Sequence, residues 1–292
     1  MGDESGYELG DVQKTKLAAI EAEWETHEPP AAFTLIGFPN EETQTTDAAL
    51  QIPYLLGLIA TRSITEEVTG IKDLIVEHED RIRSGIGAYG LLEQLRAGDE
   101  SEETKAAFED VKDDLGYGLL LKRIRDDIEN ATDEEIKAAA KSTIPAVAPM
   151  FWTFRIMVGL GVLMLTLIGL SFYFATRHTA EKQTWLLKAL LICLPAPWIA
   201  CEMGWFVAEF GRQPWSIGEV LPTALSASTR SEADIWMSLT GFIVFYSGLL
   251  VVEMYLMFKF ARLGPSALHT GRYHHEIESH EGGAPLTNAG AH

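Results

Sequence analysis

The segment IMVGLGVLMLTLIGLSFYFA, from Ile156 to Ala175, runs for twenty residues without a charged side chain. An α-helix needs about 20 such residues to cross the hydrocarbon layer of a bilayer. Aromatic residues precede the segment at Phe151, Trp152 and Phe154, and aromatic rings are enriched at membrane interfaces. The segment therefore predicts a transmembrane helix, with the rest of the chain arranged around a membrane.

Two later segments are also apolar enough to span a bilayer. Ala189–Ala208 is interrupted by Glu202 and by two prolines, so a re-entrant or interfacial helix is the alternative for it. Ile235–Phe258 carries one charged residue, Glu253, near its end. We predict three spans.

Most of the charge lies ahead of these spans. Of the formal net charge of −19, residues 1–148 carry −18, from 32 acidic and 14 basic residues. Such a region repels phosphates, which argues against nucleic acid as a partner. The front of the chain is therefore predicted to be a water-exposed region attached to the spans.

Basic residues predict the orientation of the spans. The connection 177–188 carries three basic residues against one acid, and Lys259 and Arg262 follow the third span. The positive-inside rule places both regions on the cytoplasmic side. Residues 1–148 are then expected to face outward.

Hydrophobic periodicity predicts mainly helices in this front region. The predicted helices are one that is capped by Asp11, passes Trp24 and stops at Pro29–Pro30, one from Glu66 to Arg96, and two shorter ones over 101–115 and 133–143. Thr132 and Asp133 form a predicted N-cap region. No element is predicted over residues 31–64.

The second span holds the most informative polar cluster. At 100° per residue, Glu202, Trp205, Glu209 and Arg212 fall within less than a quarter-turn of one helix face. A charge that faces lipid costs at least ~2.5 kcal/mol on insertion scales, so we expect this face to point into a helix bundle or a cavity. The alternative is a salt bridge that only fixes helix packing, although two carboxylates for one guanidinium are more than packing requires.

Other candidate residues are weaker when taken alone. Met157 could ligate iron, although a methionine in a membrane helix is usually a packing residue, and Arg155 could neutralise a haem propionate. Lys16 and Glu21 are typical of a solvated helix face. None of the eight histidines lies within a predicted span, so the chain alone is not expected to supply the histidine that a b-type haem needs.

Several motifs point to one family. They are GWFVAEFGRQPW (204–215), FRIMVG (154–159), GDESGYE (2–8), DVQKTKL (11–17), DLGYGLLLK (114–122) and MFKFARLGP (257–265). With its GRQPW core as the most specific signature, the sequence resembles subunit I of the cytochrome bd quinol oxidases. The resemblance covers essentially the whole chain but only the C-terminal part of that subunit, in the form with a long quinol loop. Because the family's six N-terminal helices would precede this sequence, we expect the chain to be a fragment.

The resemblance implies a role for each candidate near the outer face. Lys16 and Glu21 match loop positions that bind and deprotonate quinol. Met157 matches an axial ligand of the low-spin haem b, with Arg155 beside it. The histidine ligands of the family belong to the absent helices, so haem binding is expected only in their presence.

The resemblance also implies roles for the polar face of the second span. Glu209 matches an axial ligand of the high-spin haem b, and Arg212 matches a residue that contacts the haem propionates. Trp205 would lie between haems on the electron path. Glu202, Trp205 and Glu209 are the predicted catalytic residues.

The fold class predicted is an all-α membrane protein with three transmembrane helices preceded by a mainly helical extramembranous loop region. We expect an outward-facing quinol-binding loop region over 1–148, a three-helix transmembrane region with haem-contacting residues over 149–264, and a disordered cytoplasmic tail over 265–292.

The resemblance implies a quinol:oxygen oxidoreductase of the bacterial cytoplasmic membrane that oxidises quinol outside and passes electrons through haems to oxygen. Its cofactors would be a low-spin haem b, a high-spin haem b, and haem d or a second haem b. Its partners would be quinol, oxygen, the N-terminal helices of the same subunit, subunit II, small accessory subunits and lipid, and the isolated chain would be inactive. Two alternatives stay open: a truncated, non-catalytic membrane fragment that acts only as an assembly or interaction module, and a transporter, suggested by Glu202, Glu209, Glu253 and the proline-broken helix.

Overall fold

A computed structural model describes residues 12–26, 32–54, 56, 67–98 and 101–263. The chain divides after Ala227 into two units. The first unit contains the loop region and the first two membrane segments, and the second contains one long helix. The predicted cap at Asp11, the stop at Pro29–Pro30 and the tail over 265–292 lie outside the described residues.

The described elements are mostly helices, as predicted. The helices are α1 (Lys14–Glu21), α2 (Ile71–Arg96), α3 (Glu102–Val111), α4 (Leu115–Leu119), α5 (Asp133–Ser142), α6 (Val147–Thr176), α7 (Thr184–Ile192), α8 (Ala196–Phe210) and α9 (Glu232–Leu263). Short 3₁₀ segments flank α4 at Lys112–Asp114 and Leu120–Arg123, and others lie at Ala180–Lys182 and Thr223–Leu225. Two antiparallel hairpins pair β1 (Phe33–Asn40) with β2 (Thr45–Ile52), and β3 (Trp215–Ile217) with β4 (Leu221–Pro222).

The membrane segments agree with the sequence prediction. The helical stretch Asp133–Thr176, which contains α6, and Glu232–Arg262 within α9 are each long and apolar enough to cross a bilayer. The second predicted span is broken into α7 and α8, which meet at a 40° bend and together make a third candidate span. Pro195 stands before the first residue of α8, where a proline costs no helical hydrogen bond.

The first hairpin lies where no element was predicted. Its strands are irregular, with register shifts between Thr34 and Ile36 and between Ile36 and Phe38, so the apolar residues do not alternate in the period of two that marks a strand. Pro39 is tolerated because both strands of a two-stranded hairpin are edge strands. The turn of this hairpin caps α6, because Glu41 Oε1 accepts hydrogen bonds from the backbone N–H groups of Val147 (2.8 Å) and Ala148 (3.3 Å).

Helix α1 ends earlier than predicted. It stops at Glu21 because Ala22 adopts a left-handed conformation (φ 53°) and the N–H of Glu23 donates to the carbonyl of Ala18, the pattern of a Schellman cap. Trp24 therefore lies beyond the helix, where its Nε1 donates to Thr46 Oγ1 of the hairpin at 3.0 Å.

Helix α2 begins at Ile71, five residues after its predicted start at Glu66. Backbone carbonyls of the segment that follows α1 accept hydrogen bonds from the first N–H groups of α2. Ile71 N donates to Glu23 O at 2.8 Å, and Lys72 N donates to Trp24 O at 3.1 Å. Gly70 permits this crossing, because a Cβ there would overlap the backbone of Glu25. The start of α2 is thus fixed by a tertiary contact that periodicity does not encode.

Three buried clusters lie in the described part of the first unit, and the smallest contains Leu17, Phe33, Leu56 and Val68. The largest joins α1 to the N-terminal end of α6 and to α8 through residues that include Ile20, Phe151 and Val207. Phe151 is fully buried in it, so the prediction of this residue as an interface aromatic is wrong; Trp152 beside it is partly exposed. The apolar ends of the spans are therefore continuous with the core of the loop region.

The second cluster packs α2, α4, α5 and Trp215 together. Gly85 and Gly118 let the backbones of α2 and α4 cross at close range. The predicted cap of α5 is confirmed as a full capping box between Thr132 and Glu135. This cluster lies directly behind the polar site described below.

Candidate functional site

Arg155 fastens α6 to the loop region. Its guanidinium forms an ion pair with Glu21 at 2.9 Å, and the two side chains are only 7% and 3% exposed. It also donates to the carbonyl oxygens of Thr34 (2.9 Å from Nε), Ile20 (2.7 Å) and Phe151 (3.2 Å). A second contact, from Nη2 to Thr34 O, completes the set. Every N–H group of this arginine therefore has an acceptor within the chain.

Burial dominates the electrostatics of Glu21. It raises the pKa of this carboxyl to about 7, and the attraction of Arg155, which lowers the pKa, offsets only part of this rise. The group is thus poised to exchange a proton near neutral pH, which suits the predicted acceptor of a quinol proton.

Lys16 docks on the other membrane helix. Its Nζ donates to the carbonyl of Ala208, near the end of α8, at 3.3 Å. Gly211 makes room for it, because a Cβ there would lie 2.9 Å from Lys16 Cε. Burial lowers the pKa of Lys16, Arg212 lowers it further, and Glu209 opposes both.

The two predicted quinol residues do not share one surface. They are five positions apart on α1, which rotates them about 140° from each other. Lys16 lines a cavity with Arg212, whereas Glu21 is sealed against Arg155. The structure brings each of them to a different membrane helix.

Met157 lies at the contact between α6 and α8. A Cβ added to Gly204 would lie 3.1 Å from the Met157 sulfur, so the missing side chain at Gly204 allows the thioether to approach α8. Within the described residues, the thioether therefore lies against α8.

The polar face of α8 is open within the described residues. Trp205 is 65% exposed, and Glu202 is also exposed. Glu209 and Arg212 form an ion pair at 3.0 Å, and each side chain is 44% exposed. Arg212 lines a cavity, but around Glu202 and Trp205 the described part of the chain does not provide the bundle or cavity that this face was predicted to enter.

A polar network that the sequence reasoning missed lies beside Lys16. Arg81 donates to Asp114 (2.7 Å) and to Glu219 (2.8 Å), and it stacks over the ring of Tyr117 at 4.2 Å. His78, a buried residue of α2, lies next to this network. The signal available in sequence was Tyr117 within the DLGYG segment, but the partners lie up to 138 positions apart.

Comparison with known proteins decides the family. The sequence model described as "Cytochrome bd terminal oxidase subunit I" matches residues 1–265. The chain belongs to this family. One relative, the subunit 1 of the cytochrome bd-II ubiquinol oxidase of Escherichia coli (strain K12), is 42% identical over 270 residues. A second, the cytochrome bd ubiquinol oxidase subunit 1 of Bacillus subtilis (strain 168), is 26% identical over 271 residues.

The chain spans about half the length of these relatives. The alignments cover 92% of this chain but 52% of the E. coli protein and 45% of the B. subtilis protein. The predicted family is thus confirmed, and the predicted membrane character agrees with the candidate spans.

The residues predicted to contact haem differ in how well they suit it. Met157 and Glu209 offer a thioether and a carboxylate, both of which can ligate iron, and Arg212 has one described partner and an exposed guanidinium. Arg155 suits a propionate less well, because a propionate would have to displace one of its present acceptors. The donor set on α6 and α8 therefore fits haem, with Arg212 the better propionate contact.

Proposed function

We propose that this chain forms the quinol-facing and haem-contacting half of subunit I in a quinol:oxygen oxidoreductase of the bacterial cytoplasmic membrane. The observation that carries the proposal is the junction of α1 with the spans. Lys16 and Glu21, the candidate quinol residues, dock on the same two helices that carry Glu209 and Met157. The named relatives are ubiquinol oxidases.

The outward side of the junction would bind and deprotonate quinol. Lys16 faces a cavity and can donate a hydrogen bond to a quinol oxygen. Glu21, with a pKa of about 7, can take a proton near neutral pH and release it on the outer side. Since Glu21 is sealed, a water or a movement of Arg155 must connect it to the substrate.

The membrane side of the junction would hold the haems. Met157 would ligate the low-spin haem b, Glu209 the high-spin haem b, and Arg212 would contact propionates, while the third cofactor is haem d or a further haem b. Bound haem supplies the electron transfer and the reduction of oxygen. Trp205 and Glu202, exposed on the same face of α8, would contact this cofactor region.

The remaining half of the subunit would complete the site. The open polar face of α8 cannot face lipid without a large cost, so protein or cofactor must cover it. We assign this role to the N-terminal helices of the same subunit, with subunit II and small accessory subunits around them. Residues 1–148 would lie on the outer side and the C-terminus in the cytoplasm, as the basic connections require.

The ligand assignment is tested by replacing Met157 with Leu in the complete enzyme. Loss of the thioether removes one axial ligand, so the low-spin haem content should fall. Met164→Leu, seven residues along the same helix, is the matched control and should leave the spectrum as it is. An unchanged haem spectrum in Met157→Leu would contradict the assignment of Met157 as a haem ligand.

A further inference from the structure

A cavity of about 400 Å³ lies beside α1 in the first unit, bounded by α2, α4 and the turn between β3 and β4. The polar side chains that line it include Lys16, His78, Arg81, Tyr117, Arg212 and Glu219. Small-molecule sites typically occupy about 300–1,000 Å³. The cavity is therefore large enough for a substituted aromatic ring.

The lining suits a neutral ligand that carries hydroxyl groups. Four cationic side chains face two acidic ones, Glu77 and Glu219. Asp114 and Glu209 pair with two of these cations from outside the lining, so the charges are balanced and a polyanion is not favoured. Tyr117 and Trp215, whose ring centres lie 5.1 Å apart, add aromatic side chains to the lining. This combination of rings with hydrogen-bonding groups matches a quinol ring.

The hydrogen bonds of His78 fix which ring nitrogen is free. Its Nδ1 lies 2.7 Å from Thr143 Oγ1, and that hydroxyl donates its own proton to the carbonyl of Ala140 at 2.6 Å. Thr143 must then accept from His78, so Nδ1 carries the proton and Nε2 keeps a lone pair. Among the residues that the structure describes, no hydrogen bond engages Nε2.

Packing immobilises the ring of His78, and burial keeps it uncharged. It packs against Tyr117 with ring centres 5.1 Å apart, and it is 4% exposed. Burial lowers its pKa to about 4, and Arg81 acts in the same direction while Glu219 opposes them. Arg81 donates its hydrogen bonds to Asp114 and Glu219, and it therefore does not occupy the lone pair of Nε2.

We infer that His78 is a substrate-binding residue whose Nε2 accepts a hydrogen bond from a quinol hydroxyl in this cavity, with Lys16 on another wall. The inference rests on the proposed quinol oxidase function and adds a residue to its substrate site. Thr143 is a positioning residue, because it acts on the substrate only through the tautomer of His78.

The test measures oxygen uptake by the complete oxidase with ubiquinol-1 as the varied substrate. His78→Leu should raise KM about tenfold and change kcat less than about twofold, because a hydrogen bond present in both ground and transition states is lost. His78→Gln keeps an acceptor oxygen and should stay within about threefold of the wild type. Thr143→Val should raise KM about two- to threefold.

Two measurements separate binding from folding. The dithionite-reduced haem spectrum should be the same in all variants. Ile82→Val, one turn along α2 in the buried cluster behind the cavity, should leave KM unchanged. If His78→Leu fails to assemble, Thr143→Val decides in its place.

Three outcomes would overturn the inference. An unaltered KM in haem-replete His78→Leu, or in Thr143→Val if that variant has to decide, removes His78 from the substrate site. A shifted haem band with an unaltered KM assigns the cavity to a haem propionate instead. A wild-type complete enzyme that consumes oxygen with neither ubiquinol-1 nor a reduced menaquinone analogue rejects the proposed function itself, and this inference with it.

Discussion

Replacing Arg155 with Met should release the loop region from the membrane helices. The substitution removes the partner of Glu21, which is 3% exposed, and leaves the carbonyls of Thr34 and Ile20 without their donor. Breaking a buried ion pair by removing one partner typically costs about 3–5 kcal/mol. The pKa of Glu21 is already about 7 with Arg155 present, so the carboxyl can take up a proton, and we expect the lower end, about 3 kcal/mol.

Hydrogen exchange of the amides in Lys14–Glu21 measures this cost locally. A loss of about 3 kcal/mol corresponds to exchange about 100-fold faster, since each 1.4 kcal/mol is a factor of ten. Arg177→Met, at the exposed opposite end of α6, is the matched control and should change stability by less than about 0.5 kcal/mol. Adding Glu21→Gln to Arg155→Met should restore part of the loss, because no buried charge is then left alone. Equal amide protection of Lys14–Glu21 in the Arg155 and Arg177 variants would refute the claim that this ion pair holds α1 against α6.

Two further predictions concern acidity and helix contact. Burial raises the pKa of Glu21 to about 7 and lowers the pKa of His78 to about 4. As the pH falls from 7 to 4.5, the folded protein binds a proton at Glu21 more readily than the unfolded chain does, so Glu21 adds stability. As the pH falls from 6.5 to 4, the unfolded chain binds a proton at the histidine more readily, so His78 removes stability. Glu21→Gln leaves only the histidine contribution, and its Tm should therefore fall more steeply than that of the wild type between pH 6.5 and 4, by the equivalent of up to about 3 kcal/mol; parallel Tm profiles would contradict this. Gly204→Ala places a Cβ 3.1 Å from the Met157 sulfur and should shift the low-spin haem band of the complete enzyme, whereas Gly169→Ala, in open space, should not; identical spectra would show that this contact does not position the thioether.

The spans were predictable because a single physical requirement defines them. A long uncharged apolar segment such as Ile156–Ala175 has few stable environments other than a bilayer, and the local sequence contains that information. The family was predictable for a similar reason, since the GRQPW core lies within one continuous segment. The proline-broken second span was also visible in sequence as Pro195 and Pro197.

The missed features depend on contacts between distant residues. The start of α2 is set by the backbone at Glu23 and Trp24, nearly fifty positions earlier. The cavity forms only when His78, Tyr117 and Glu219 are brought together by α2, α4 and the second hairpin. Tyr117 belongs to the DLGYGLLLK motif, but no fixed spacing connects it to His78 or Glu219, so periodicity and composition could not reveal their arrangement.

Lys16 and Glu21 show that sequence also gives incomplete information about residues that are close together in the chain. Lys16 and Glu21 were assigned together because both match the quinol loop. In the structure the geometry of α1 turns them toward different helices, and only Lys16 lines the cavity. Their shared role in quinol oxidation stays a prediction, with Glu21 acting from behind the ion pair with Arg155.

A reduced-minus-oxidised absorption spectrum tests the central claim most directly. It should be recorded on this chain purified alone and again after co-expression with the N-terminal helices of the subunit. We predict haem bands only in the second preparation, because Met157 and Glu209 lack the histidine ligands and the protein cover that those helices would supply. The absence of haem bands from both preparations would contradict the proposal that this chain takes part in electron transfer.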